Sequence, residues 1–102
     1  MSARILEINF RFSVSPAELL EGFAGLVEPI ANLPGLRWKI WSLNEAEREF
    51  GGIYLFDEQA SADAYLAGPI VAQLGQHPAL SDITAKQFDV LEEPSAVTRG
   101  PV

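Results

Sequence analysis

The 102-residue chain has no cysteine and a single histidine, His77. Disulfides, thiolate metal sites and cysteine nucleophiles are therefore excluded, and a metal ion would have to be held almost wholly by carboxylates. Cations are also scarce: seven Lys and Arg stand against fourteen Asp and Glu, for a formal charge of −7. The cations at Arg4, Arg11, Arg37, Lys39, Arg48, Lys86 and Arg99 are scattered, which excludes the basic footprint of a nucleic-acid binder. No apolar run approaches the roughly 18–20 residues of a membrane span, and the first residues lack the charged-then-apolar pattern of a secretory signal. A cytoplasmic protein with no membrane partner is expected. What the chain does contain is an ordinary globular share of hydrophobic residues, 48%, enough for one core and one domain over residues 1–102.

From Arg4 to Phe12 the residues alternate, with Leu6, Ile8, Phe10 and Phe12 on one side and Glu7, Asn9 and Arg11 on the other, the period of a half-buried strand. Ser15-Pro16-Ala17-Glu18 then predicts a helix start: Ser15 caps, Pro16 suits the first helical position, and Glu18 completes a capping box. Leu19, Phe23, Leu26, Val27 and Ile30 continue as one apolar stripe, ended by Asn32-Leu33-Pro34-Gly35. Leu36–Leu43 and Phe50–Phe56 read as strands joined by the polar hairpin 44–49. Asp57 can cap a second helix that Gly68-Pro69 breaks or restarts, Ile83–Val90 reads as the last strand, and the tail from about residue 92 is expected to be irregular.

The order β-α-β-β-α-β predicts an α+β, ferredoxin-like fold with a four-stranded antiparallel sheet and both helices on one face. The later strands carry large apolar residues on both sides: Trp38 and Ile40 oppose Trp41 and Leu43, and Ile53 and Leu55 oppose Tyr54 and Phe56. An uncovered apolar sheet face marks an interaction surface, and a homodimer pairing two such faces into an α+β barrel is expected.

Glu45, Glu47 and Glu49 read as a solvated hairpin face, at most weakly attractive to a hard cation, so no metal site is expected. His77, in Gln76-His77-Pro78, lies in a loop-like context that offers little to a base or a haem ligand. Gly51-Gly52 enters a strand instead of a helix, so it is no phosphate loop; backbone freedom at a strand start or bulge is its plain reading. Trp38-Lys39-Ile40-Trp41 sets two large rings on opposite faces of one strand with a cation between them. Its plain reading is core and dimer packing; the functional one is an apolar slot in which a charged group orients a phenolate or enolate oxygen. Lys39 and Trp41 share a face, and the polar side of the first strand offers Glu7, Asn9 and Arg11 as a matching set. Tyr54 pairs with Phe56 on the third strand and Lys86 with Phe88 on the last.

These residues, with Gly51-Gly52-Ile53-Tyr54-Leu55-Phe56, Ser61-Ala62-Asp63-Ala64-Tyr65-Leu66 and Ala85-Lys86-Gln87-Phe88-Asp89-Val90 leading to Glu93-Pro94, resemble the YdhR-like monooxygenase family of the dimeric α+β barrel superfamily. The resemblance runs from the first strand through Pro94 and departs from the family pattern at Gly68-Pro69. It implies a ferredoxin-like homodimer and an oxygenase of aromatic compounds that uses no metal or organic cofactor. In such chemistry the substrate supplies the electrons, after losing an acidic proton to give an anion that a positive or hydrogen-bonding group must stabilise. Lys39, Lys86 and Arg11 are the candidate stabilisers, Asn9 and Tyr54 the candidates to orient or shuttle a proton, and Trp38, Trp41, Phe56 and Phe88 the candidates to hold the ring. A non-enzymatic dimer that binds a small ligand or serves as a stress-related accessory, and an isomerase-type proton-transfer enzyme, share the same expected pocket.

Overall fold

The computed structural model describes residues 2–102. Four strands, β1 (Arg4–Phe12), β2 (Leu36–Asn44), β3 (Glu49–Phe56) and β4 (Leu80–Asp89), form one sheet in the order β2-β3-β1-β4, every neighbouring pair antiparallel. Helices α1 (Pro16–Phe23), α2 (Val27–Ala31), α3 (Gln59–Leu66) and α4 (Pro69–Gln76) fill the two crossovers, and α5 (Glu92–Val97) follows the last strand. This is the ferredoxin-like β-α-β-β-α-β arrangement, with each crossover carrying a broken pair of helices.

The breaks have local causes. Ser15 caps α1 as expected, its Oγ accepting from the Glu18 backbone N–H at 3.2 Å, with Pro16 in the first turn. The expected continuous stripe is interrupted by a 3-10 turn over Ala24–Leu26, because Pro29 has no N–H to give to Gly25 and its ring crowds that carbonyl. The interruption rotates Val27 out to 49% exposure, while Leu19, Phe23 and Ile30 stay buried. Gly68-Pro69 restarts the second crossover, Pro69 opening α4. Asp57 does not cap α3, whose N-cap is Glu58; its carboxylate instead accepts from Ser61 Oγ at 3.1 Å and its N–H donates to the Gly35 carbonyl at 2.8 Å.

The expected irregular tail is helical over Glu92–Val97. Its end is a Schellman motif: Gly100 N–H donates to the Ser95 carbonyl, Arg99 N–H to the Ala96 carbonyl, and Arg99 takes the left-handed position at φ 67°. The segment then returns to the sheet, where Trp38 Nε1 donates to the Pro101 carbonyl at 2.9 Å.

Register assigns the two faces. Leu6, Ile8, Phe10 and Phe12 point under the helices with Phe50, Tyr54 and Phe56 of β3, and pack with Leu19, Phe23, Ile30, Ala62, Tyr65 and Leu74 into one core. Phe10, Phe23 and Phe50 form an aromatic nest with centroids 4.9–5.7 Å apart. On the opposite face Ile5, Leu55 and Trp38 lie side by side, as do Glu7 and Ile53 with Ile40. Leu55 is fully buried where the C-terminal segment returns, whereas Ile40, Ile53 and Phe88 are 55%, 37% and 44% exposed. That face is therefore partly covered by the chain itself and otherwise apolar and open.

Candidate functional site

The sequence-predicted residues divide between the two faces. Pairing of Lys39 with Tyr54 and of Trp41 with Gly52 sets Lys39, Trp41, Tyr54 and Phe56 beneath the helices. Asn9, Arg11, Lys86 and Phe88 lie on the opposite face with Trp38. The expected match of Lys39 and Trp41 with Glu7, Asn9 and Arg11 is thus corrected: the tryptophan that β2 turns to the open face is Trp38, and Lys39 goes inward with Trp41. Asn9 donates to Glu7 Oε1 at 3.0 Å, Arg11 donates to the Glu47 carbonyl at 3.2 Å, and Lys86 is exposed opposite Glu7. Asn9 and Arg11 are tied to surface partners, and none of the three converges with Lys39.

Beneath the helices the geometry is concentrated. Lys39 Nζ lies 3.3 Å from the centroid of Trp41 and 4.5 Å from that of Tyr54. Lys39 makes no ion pair, the Arg4–Asp89 bridge being the one found among the described residues. Burial without a carboxylate lowers its pKa from 10.5 to about 7. The room for its stem comes from Gly52: a Cβ there would fall 2.4 Å from Lys39 Cε. Gly51 has a separate purpose, since a Cβ there would fall 1.9 Å from the Ile8 carbonyl oxygen and drive β1 and β3 apart. The glycine pair therefore serves close approach, in place of the backbone freedom expected of it.

Tyr54 and Tyr65, 2% and 4% exposed, meet hydroxyl to hydroxyl at 2.8 Å, with ring centroids 5.1 Å apart. Burial first, and the adjacent Tyr65 second, hold the Tyr54 hydroxyl far above the usual phenol range; burial also raises Tyr65. Both stay protonated at neutral pH. One hydroxyl donates to the other, which leaves one O–H of the pair to give to a third oxygen. Phe56 stacks on Tyr54 at 6.0 Å, and Trp41 continues the aromatic wall to Phe50 at 6.2 Å. Tyr65 was not among the expected site residues. It reads in sequence as part of the short apolar side of α3 with Ala62 and Leu66, and only the tertiary packing reveals a hydroxyl aimed at the sheet.

Two concavities flank this cluster. A groove of about 320 Å³ between α2 and β2 is lined by Val27, Ile30, Ala31, Leu36, Lys39 and Trp41, among others. A second of about 340 Å³ lies between the Leu33-Pro34 turn and the α3–α4 junction, with Tyr65, Gly68, Pro69 and Ile70 in its wall. Both have the size of a small-ligand site. The helix restart at Gly68-Pro69 is therefore part of a pocket wall.

The arrangement is that of a groove carrying one partly buried amine beside an aromatic ring, backed by a buried tyrosine pair, on a ferredoxin-like α+β scaffold. Solved structures of the same fold include NE2512 of Nitrosomonas europaea, a protein of unknown function (22% identity over 89% of this chain and 91% of that one, TM-score 0.73). They also include a point mutant of the cofactor-independent oxygenase SnoaB of Streptomyces nogalater (18% identity, 90% and 96% covered, TM-score 0.71), and the haem degrader MhuD of Mycobacterium tuberculosis (19%, 87% and 97%, TM-score 0.66). At these identities the likeness shows the fold. The family described as "Putative mono-oxygenase ydhR" matches residues 5–101, and the chain belongs to it. No curated protein matches the sequence.

His77 Nδ1 accepts the Ala79 backbone N–H at 3.1 Å, and the buried Tyr54 and Tyr65 hydroxyls bond each other. No group of three His, Asp or Glu side chains among the described residues is placed to hold a metal ion, and no helix there is long and apolar enough to cross a membrane.

Proposed function

We propose that the protein is a cofactor-independent monooxygenase of small phenolic or polycyclic aromatic compounds, with its site at Lys39 and Trp41 in the groove between α2 and β2. The observation that carries this reading is Lys39: an amine without a carboxylate, laid across two aromatic faces, with a pKa of about 7. A general base is most effective when its pKa lies near the working pH. Neutral Lys39 takes the acidic proton of the bound phenol and, as the ammonium, remains beside the anion it has created. Trp41, which shares the wall of that groove with Lys39, packs against the substrate ring.

The anion then passes one electron to molecular oxygen, and recombination of the radical pair gives a hydroperoxide that loses water. The phenolic O–H and one ring C–H, with one O₂, become the two carbonyls of a quinone and one water, so the substrate supplies every electron. The family assignment supports oxygenase chemistry, and the cofactor-independent activity of a neighbour on this fold is consistent with it.

The working unit of this proposal is a homodimer. Ile40, Ile53 and Phe88 form an apolar surface on the sheet face away from the helices, and an isologous pairing of two such faces removes all three from water.

The test is oxygen uptake by chelator-treated protein offered a panel of polycyclic phenols, in parallel with Lys39→Met. Uptake by the wild type that falls at least about a hundredfold in the variant, the loss expected of a general base, supports the reading. Binding without uptake across the panel would overturn it in favour of a ligand-binding protein, and turnover that proceeds equally under nitrogen would mark an isomerase.

A further inference from the structure

Lysine occurs twice in the chain, at positions 39 and 86, in opposed settings. Lys86 is exposed on the open face of β4 opposite Glu7. Lys39 is half-buried, its stem in the slot left by Gly52 and its Nζ over Trp41 and Tyr54. It forms part of the wall of the groove between α2 and β2, beside Ile30 and Leu36. An amine held in the wall of a mostly apolar groove whose other charged residue is Arg37, with no acid to keep it charged, has two chemical uses: it can take a proton, or its lone pair can add to an electrophilic carbon.

We infer that Lys39 is also a nucleophile, forming a reversible imine with small aromatic aldehydes and ketones that enter the groove between α2 and β2. Nζ adds to the carbonyl carbon while an amine proton passes to the carbonyl oxygen. The resulting carbinolamine expels that oxygen as water, leaving a C=N bond with no oxidant or reductant consumed. Trp41, in the wall of the same groove, packs against the aromatic ring of the carbonyl compound. The inference rests on the same placement of Lys39 as the proposed oxygenase site, but on a different reaction at it.

Gly52 is the positioning residue. Its replacement by alanine puts a methyl group where Lys39 Cε now lies, while the other close atom, the Ile40 carbonyl oxygen at 3.1 Å, needs only a few tenths of an ångström of adjustment. Gly52→Ala is therefore expected to displace the lysine and keep the sheet.

The experiment treats the full-length protein with 4-hydroxybenzaldehyde and sodium cyanoborohydride at pH 7 under nitrogen, then maps the reduced adduct by peptide mass spectrometry. The expected result is labelling of Lys39 at least about tenfold above Lys86, because an ordinary lysine is almost wholly protonated at that pH. Gly52→Ala is expected to bring the two sites to parity with an unchanged circular dichroism spectrum, and Lys39→Arg to abolish the adduct at 39. Equal labelling of Lys39 and Lys86 in the wild type would overturn the inference. Running the reaction without oxygen separates the two proposals. A Lys39 adduct in a protein that consumes no oxygen refutes the oxygenase alone, and Lys39-dependent oxygen uptake without an adduct refutes the imine alone.

Discussion

Replacing Tyr54 by phenylalanine removes one oxygen atom and breaks one hydrogen bond, the 2.8 Å contact with the Tyr65 hydroxyl. Both rings are at least 96% buried, so water cannot readily replace the lost partner. The change forfeits the net worth of the bond, about 1 kcal/mol, and strands the remaining hydroxyl at a further cost of roughly 1 kcal/mol. A destabilisation of about 2 kcal/mol is expected, and the same for Tyr65→Phe. The double variant has no stranded hydroxyl and an unchanged ring stack at 5.1 Å, so it should lose about as much as one single variant or less. The coupling energy from the cycle is then about 2 kcal/mol. Urea unfolding followed by circular dichroism measures it, and the thermal midpoint of each single variant should fall by about 4–8 °C for every kcal/mol lost. If the double variant loses the sum of the two singles, the hydroxyls do not share a buried bond.

Because folding lowers the Lys39 pKa from 10.5 to about 7, the unfolded chain binds more protons between those values, and stability should rise with pH across that window and be flat with respect to this group below it. Lys39→Met abolishes that rise, as urea midpoints taken at pH 6, 8 and 10 will show. Gly51→Ala, whose Cβ meets backbone at 1.9 Å, should cost about 3 kcal/mol in chemical unfolding. Gly52→Ala should cost about 1 kcal/mol while returning the Lys39 titration, followed by NMR of the lysine side chains, toward the ordinary range. Ile53→Glu places a charge at the centre of the exposed Ile40, Ile53 and Phe88 surface; sedimentation should find a wild-type dimer and a monomeric variant, and a monomeric wild type refutes the pairing.

The residues that revealed most in sequence were those with one possible partner. β1 alternates because one face meets helices and the other does not, so Leu6, Ile8, Phe10 and Phe12 could be assigned to the core directly. Ser15, Pro16 and Glu18 specify a helix start by chemistry local to four residues. β2 offered no such asymmetry. With Trp38 and Ile40 on one side and Trp41 and Leu43 on the other, either face could have been the core, and the pairing of Lys39 with Tyr54 is a property of register with β3. Lys39 with Trp41, and Tyr54 with Phe56, could be paired by period, whereas the meeting of the two pairs and their separation from Asn9, Arg11, Lys86 and Phe88 could not be read. Tyr65 escaped notice because a tyrosine on an apolar helix side reads as core until its hydroxyl is given a partner. The helix α5 was hidden for a different reason: its left-handed terminating residue is Arg99, with the glycine one position later, so the usual glycine stop signal is displaced.

If Lys39 is the base of an oxygenase whose substrate is its only electron source, turnover of a polycyclic phenol under ¹⁸O₂ in chelator-treated buffer, read by mass spectrometry of the product, gives one labelled oxygen atom per product molecule, with a rate that rises through about pH 7 as Lys39 loses its proton and falls at least about a hundredfold in Lys39→Met. A product free of label, or a labelled product formed equally well by the variant, would contradict this mechanism.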